Sequence, residues 1–211
     1  MTTPHPDSVV TLVDYGERKY PNAFIKIWCS LDDLEFDDAL ENILEKIIDD
    51  IEKDVNHLSP LLEDAITAVL VIAINAIPGL RGVQQAHSNG HVDITIEGEI
   101  NPPLRRRLGE AKIYDGPKYH EKGLEQLVKR YTTGREGQGI LIEYVKDPNI
   151  KQLVEKIRRH MDANKPCAQS GTTQDHRIHW AFTSNHFHSS GELIRVVHFS
   201  CNLFRGNIVP K

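Results

Sequence analysis

The stretch "VDITIEGEINPPLRRRLGEAKIYDGPKYHEKGLEQLVKRY", Val92 to Tyr131, decides how the chain reads. In "HVDITIEG", His91, Asp93 and Thr95 alternate with Val92, Ile94 and Ile96, the period of a half-buried strand. "INPP" supplies a turn, and "RRLGEAKIY" returns as a second strand. Residues two apart in a strand share a face. Glu110 and Lys112 therefore point one way, and Gly109, Ala111 and Ile113 point into the other layer. Asp93, on the polar alternation of the neighbouring strand, faces the same cleft. A merely structural hairpin would carry Val, Ile or Thr at these places. The helix "HEKGLEQLVKRY" follows, with Leu124, Leu127, Val128 and Tyr131 on one stripe.

Working outward, "AFIKIWCS" (Ala23–Ser30) alternates like a strand, and Leu40, Ile43, Leu44, Ile47, Ile48 and Ile51 recur at helical spacing. That helix carries an acidic polar face (Asp37, Asp38, Glu41, Glu45, Asp49, Asp50, Glu52), so residues 37–54 are the expected contact with a basic partner or a second copy of the chain. A further helix is read from Ser59 as N-cap, with Pro60 at its first position and Glu63 and Asp64 in the first turn. "GILIEYV" (Gly139–Val145) is an apolar run typical of a strand covered on both faces. A helix opened by Asp147 and Pro148 follows, then the surface loop "NKPCAQSGTTQD" (Asn164–Asp175). The strands "RIHWAFTSNH" and "ELIRVVHFSCNLF" close the chain. The order β-α-α-β-β-α-β-α-β-β predicts an α/β class, a mixed β-sheet flanked by helices. It forms one domain over 1–211: a core at about 59–145, a strand-helix extension 1–58 and a His-rich region 164–211.

Composition sets the bounds. The chain has 211 residues, 39% hydrophobic and 26% charged, which is that of a globular protein with room for one core. Cys29, Cys167 and Cys201 form no CxxC pair, which fits a reducing cytoplasm better than a disulfide framework. "MTTPHPDSVV" is not a secretory signal, and the apolar run Ala65–Ile77 is too short to span a bilayer. A cytoplasmic protein with no membrane partner is expected. The net charge of −5 conceals an asymmetry: residues 1–100 hold 6 Lys and Arg against 19 Asp and Glu, residues 101–211 hold 19 against 11. A polyanion would be attracted to the second half alone.

Two carboxylates and an ammonium converging at a sheet edge suit metal-assisted phosphodiester hydrolysis. Carboxylates hold Mg²⁺ or Mn²⁺, the metal acidifies a bound water, and the lysine orients it. Such a site must supply on the order of 20 kcal/mol. An acid on one strand, "GEAK" (Gly109–Lys112) on the next and a helix bearing Gln together resemble the PD-(D/E)xK, or restriction-endonuclease-like, nuclease superfamily. The resemblance covers about residues 59–145. It implies Asp93 and Glu110 as metal ligands, Glu63 as an additional acid, Lys112 as the catalytic lysine and Gln126 as a residue beside the site. It also implies a Mg²⁺-dependent endonuclease acting on DNA, in a prokaryotic defence or restriction system. The chain departs from the pattern in three ways: Asp93 follows Val92 rather than proline, the connection between the two acids, with "GEINPPL" in it, is longer than a tight hairpin needs, and Tyr131 stands five residues after Gln126. On an α-helix that spacing puts the two on different faces.

Substrate contacts are expected from Arg105, Arg106 and Arg107 at the strand start, and from Lys118, Lys122 and Lys129 on the polar side of the helix. A chain this small is expected to act as a homo-oligomer or with a partner subunit. Two other functions compete. One is a non-catalytic subunit of the same fold that binds nucleic acid or protein. The other is a zinc-binding hydrolase using His176, His179, His186, His188 and His198, in which His186 and His188 would share a strand face.

Overall fold

In the computed structural model, residues 23–87, 91–99 and 104–206, together with Arg18, are described. The helices are α1 (Ala23–Cys29), α2 (Asp33–Lys53), α3 (Val55–Leu58), α4 (Glu63–Asn75), α5 (Pro117–Glu125) and α6 (Ile150–Asn164). The strands are β1 (Leu80–His87), β2 (His91–Gly98), β3 (Arg105–Ile113), β4 (Gln138–Val145), β5 (Gln169–Asp175), β6 (Phe182–Phe187) and β7 (Leu193–Asn202). All seven join one sheet in the order β1-β2-β3-β4-β7-β6-β5. The pairs β3–β4 and β4–β7 are parallel, and the flanking pairs are antiparallel. The α/β class with a mixed sheet stands as read.

Alternation along the central strands divides the core into two layers. Ile140, Ile142 and Tyr144 of β4, with Val197, Phe199 and Cys201 of β7, face α2 and α4. Leu141 and Val145, with Val196 of β7 and Phe182 of β6, face α5 and α6. All eight residues of β4 are buried, which accounts for its apolar run, broken inside the strand by Glu143. Helix α2 presents Phe36, Leu40, Ile43, Leu44, Ile47 and Ile51 inward. Its start is fixed by Asp32, which accepts from Glu35 N at 2.8 Å, while Glu35 accepts from Leu31 N at 2.8 Å.

Several local expectations are corrected. Ala23–Cys29 is a helix: Ile27 is buried against the α2 layer and Trp28 Nε1 donates to Pro78 O at 2.8 Å. In seven residues a short apolar run carries either period, and packing decides. Ser59 does not cap α4; its amide donates to Val55 O and ends α3, and α4 begins at Glu63. Glu63 and Asp64 do occupy its first turn. Helix α6 is capped by Asn149, at φ 65°, rather than opened by Asp147 and Pro148. Strand β1 adds to the predicted set. Gln169–Asp175 forms edge strand β5, whose polar composition reads as loop because it has little apolar alternation. Residues before Phe182 turn instead of extending: Trp180 sits at φ 57° and Ala181 N donates to Ile178 O. The "INPP" turn lies outside the described residues.

Candidate active site

The antiparallel ladder between β2 and β3 ends at Ile94↔Gly109. Beyond it β3 continues beside β4 alone. Tyr114 N donates to Tyr144 O on the β4 side, so by alternation the amides of Ala111 and Ile113 face the edge that β2 has left. Such amides need acceptors. Ala111 N donates to Asp93 Oδ2 at 3.2 Å, and Ile113 N donates to Glu63 Oε2 at 2.8 Å. The parting of two strands thus draws one carboxylate from β2 and one from the first turn of α4 to the same edge.

Lys112 gathers them. Its Nζ lies 2.7 Å from Glu110 Oε1, 3.4 Å from Glu63 Oε1 and 3.5 Å from Asp93 Oδ2. The Glu110 side chain is 0% exposed, Lys112 12%, and Asp93 and Glu63 26% and 27%, so the cluster runs from a buried acid to a solvent-facing rim. Despite the short ion pair, neither Glu110 oxygen has a directed hydrogen-bond partner. Burial drives the Glu110 pKa up to about 8; the nearby ammonium opposes this and the Asp93 charge adds to it. Burial alone would lower the Lys112 pKa, but Glu110, Asp93 and Glu63 outweigh it and raise the pKa. The lysine therefore keeps its proton, and Glu110 is the group whose proton is exchanged near neutral pH.

Helix α5 closes over this cluster through a glycine. A Cβ on Gly123 would stand 3.3 Å from Lys112 Cγ and 3.5 Å from Glu110 Cγ, so the helix rests directly on both stems. Immediately after α5, Gln126–Tyr131 winds as a π-helical turn, closed by Thr132 N donating to Leu127 O. Its i to i+5 spacing places Gln126 beside Tyr131, and Gln126 Nε2 donates to Tyr131 Oη at 3.4 Å. Counting α-helical turns had separated the two. The Tyr131 pKa is raised by burial and then by the charges of Glu110 and Asp93, so its phenol belongs with the cluster. The sequence signal was present, but only π geometry gives it meaning.

Other predicted site residues lie elsewhere. Arg105 and Arg107, 6% and 2% exposed, pair with Asp33 (3.2 Å) and Asp37 (2.6 Å) and sit over the Phe36 ring. Arg106 pairs with Glu136 at 3.0 Å. Arg105 and Arg107 bind α2 to the sheet, so at these two positions the expected substrate contacts are instead internal ion pairs, while Arg106 stays partly exposed beside Glu136. Lys118, Lys122 and Lys129 are exposed on the outside of α5 and the π turn; Lys129 pairs with Glu125 at 2.7 Å. The acidic helix is also largely compensated within the chain: Asp38 pairs with Lys26 and Arg177, Glu41 with His176 and Arg195, and Asp49 and Asp50 with Lys46 and Lys53.

The histidines do not form the expected zinc pair. His186 is fully buried on β6, whereas His188 lies beyond the strand end, bonded to Ser190. Among the described residues, no three or more His, Cys, Asp or Glu are arranged to hold a metal ion. That weighs most against zinc, which needs three or four preset protein ligands. Magnesium keeps several waters and takes one or two carboxylates. Among the described residues, no helix is long and apolar enough to cross a membrane.

No family model, curated protein or solved structure matches the chain. The functional reading rests on the geometry of the cluster.

Proposed function

We propose that the protein is a metal-dependent nuclease that hydrolyses phosphodiester bonds in DNA, on a restriction-endonuclease-like core. The observation that carries the reading is the meeting of Glu63, Asp93 and Glu110 around Lys112, all within 3.5 Å of one ammonium where two strands part. Three acids against one ammonium leave a surplus of negative charge even with Glu110 protonated, and Glu110 Oε2 is buried with no hydrogen-bond partner. Both features suit a divalent cation, Mg²⁺ or Mn²⁺, held by Asp93 and Glu110 with Glu63 beside them. Bound there, the cation would acidify a water and offset charge on the phosphate. Lys112, always protonated, orients the attacking water and steadies charge developing on the scissile phosphate. Gln126 and Tyr131 donate to phosphate oxygens at the rim. Lys118 and Lys122 lie along the outer face of α5, where a backbone would run. A place in a defence or restriction system is proposed from the superfamily resemblance alone.

A second reading, a nucleic-acid-binding subunit without catalysis, is favoured by the ammonium that already fills the acid cluster. One experiment separates the two. Plasmid, linear and single-stranded DNA and RNA are incubated with the pure protein, with and without Mg²⁺, beside Lys112→Ala. The nuclease reading expects metal-dependent cleavage that falls about 100-fold or more in the variant, with melting temperature preserved. Binding without cleavage at any metal concentration would favour the second reading.

A further inference from the structure

A chain of buried polar side chains crosses the same face of the sheet and plays no part in the acid cluster. It starts at Glu143 of β4, the register partner of Lys112. Glu143 Oε1 lies 2.7 Å from His120 Nδ1 of α5, and His120 Nε2 lies 3.0 Å from His198 Nδ1 of β7. His198 Nε2 lies 2.7 Å from Ser184 Oγ of β6, which lies 2.7 Å from His186 Nε2. His186 Nδ1 ends the chain, 3.2 Å from both Pro166 O and Cys167 O. All five side chains are 0–1% exposed.

Donor and acceptor bookkeeping gives this chain a direction. Two carbonyl oxygens at one nitrogen require His186 Nδ1 to carry hydrogen. Burial holds the His186 pKa down at about 4, so the ring is neutral and its Nε2 accepts from Ser184. Having spent its one hydrogen, Ser184 Oγ must accept from His198 Nε2. The His198 pKa is also driven well down, by burial first and then by His120 and His186, so its Nδ1 is bare and accepts from His120 Nε2. His120 Nδ1 then faces the Glu143 carboxylate. With both bare, two acceptors would meet at 2.7 Å, so one further proton has to lie between them. Running the chain in reverse leaves an acceptor facing the two carbonyls instead.

We propose that His120 is a positioning residue, held to Glu143 by a single buried proton that pins α5 onto the sheet over Lys112. Gly123, three residues further along α5, rests on the Lys112 and Glu110 stems, and Gln126 follows three residues later. The surroundings leave no other holder for that proton. Among the described residues no Lys or Arg nitrogen lies within 4 Å of Glu143. Phe182 of β6 stacks on His198 at 4.3 Å, Arg158 of α6 stands over Phe182, and the charges of Glu143, Asp147 and Asp115 act on the Tyr114 phenol. Only the consequence for catalysis rests on the nuclease reading; the proton's location does not.

The test is long-range ¹H–¹⁵N NMR of the imidazoles in the ¹⁵N-labelled full chain near neutral pH. His186 should be protonated at Nδ1 only, His198 at Nε2 only, and His120 at both nitrogens or in exchange with Glu143 at Nδ1. In Glu143→Gln the amide donates to Nδ1, so His120 should become neutral while the other two tautomers persist. His198 protonated at Nδ1, or a neutral His120 in the native chain with Nδ1 bare, would overturn the proposal without any variant. In the cleavage assay Glu143→Ala, which removes the partner of His120 Nδ1, should lower kcat severalfold with KM for DNA unchanged, and Glu143→Gln, whose amide still bonds Nδ1, should restore most of the rate. An unchanged kcat in Glu143→Ala would overturn the positioning role. Correct tautomers in a chain that cleaves nothing would leave the proton chain standing and remove the nuclease reading.

Discussion

Glu110 sets the pH behaviour of the cluster. Its folded pKa, about 8, lies above the ordinary 4.5, so the folded state binds its proton more tightly than the unfolded chain does. That contribution to stability is full below about pH 4.5 and is lost as pH rises through about 8. Metal must displace the same proton. Mn²⁺ affinity measured by calorimetry should therefore rise by about tenfold per unit from pH 5 to pH 8 and level off beyond. Glu110→Gln should weaken Mn²⁺ binding and flatten that dependence, and a flat profile in the native protein would remove Glu110 from the ligand set. At this scale the sequence was informative, because a period of two leaves Glu110 and Lys112 no choice of face. It could not tell that Arg105 and Arg107 are occupied, since their partners Asp33 and Asp37 lie about seventy residues away in the chain.

The element that most affects the site is α5 with its π turn. A methyl at Gly123 would meet Lys112 Cγ at 3.3 Å, with Leu141 Cδ1 and Glu110 Cγ in ordinary contact at 3.4 and 3.5 Å, so the lysine stem and the helix must part by tenths of an ångström. Ala is favoured over Gly in a helix by about 1 kcal/mol, which offsets much of the crowding. Gly123→Ala should therefore leave melting nearly unchanged while lowering metal-dependent cleavage about tenfold, because rim residues are displaced from the substrate. Unchanged cleavage would show that the helix height is unimportant. Helix periodicity revealed α2, α4, α5 and α6, but not that one extra residue in the last turn brings Gln126 to Tyr131. Ala23–Cys29 failed for a different reason: seven residues are too few for periodicity to outvote packing.

Across the whole molecule the opposed charges of the two halves of the chain are largely used inside it. The acids of α2 meet Arg105, Arg107, Arg177 and Arg195, which come from β3, the turn before β6 and β7. The asymmetry that pointed to a polyanion is thus in part a fastening of α2 to the sheet and to the turn before β6. Arg107→Ala should destabilise by about 3–5 kcal/mol in chemical denaturation, because it strands a buried Asp37. Burial already holds the Asp37 pKa above its usual value, so the variant's deficit should shrink in acid, where Asp37 takes up a proton. A deficit below about 1 kcal/mol would make the pair a surface ornament.

The strand separation has a consequence for how the molecule can be observed. The acids assigned to the chemistry also serve as substitute partners for the backbone, capping Ala111 and Ile113 where β2 has left them. Whatever draws Asp93 Oδ2 or Glu63 Oε2 away uncovers the amide that oxygen caps, Ala111 for the first and Ile113 for the second, so deuterium uptake at each amide reports displacement of its own acid without any turnover.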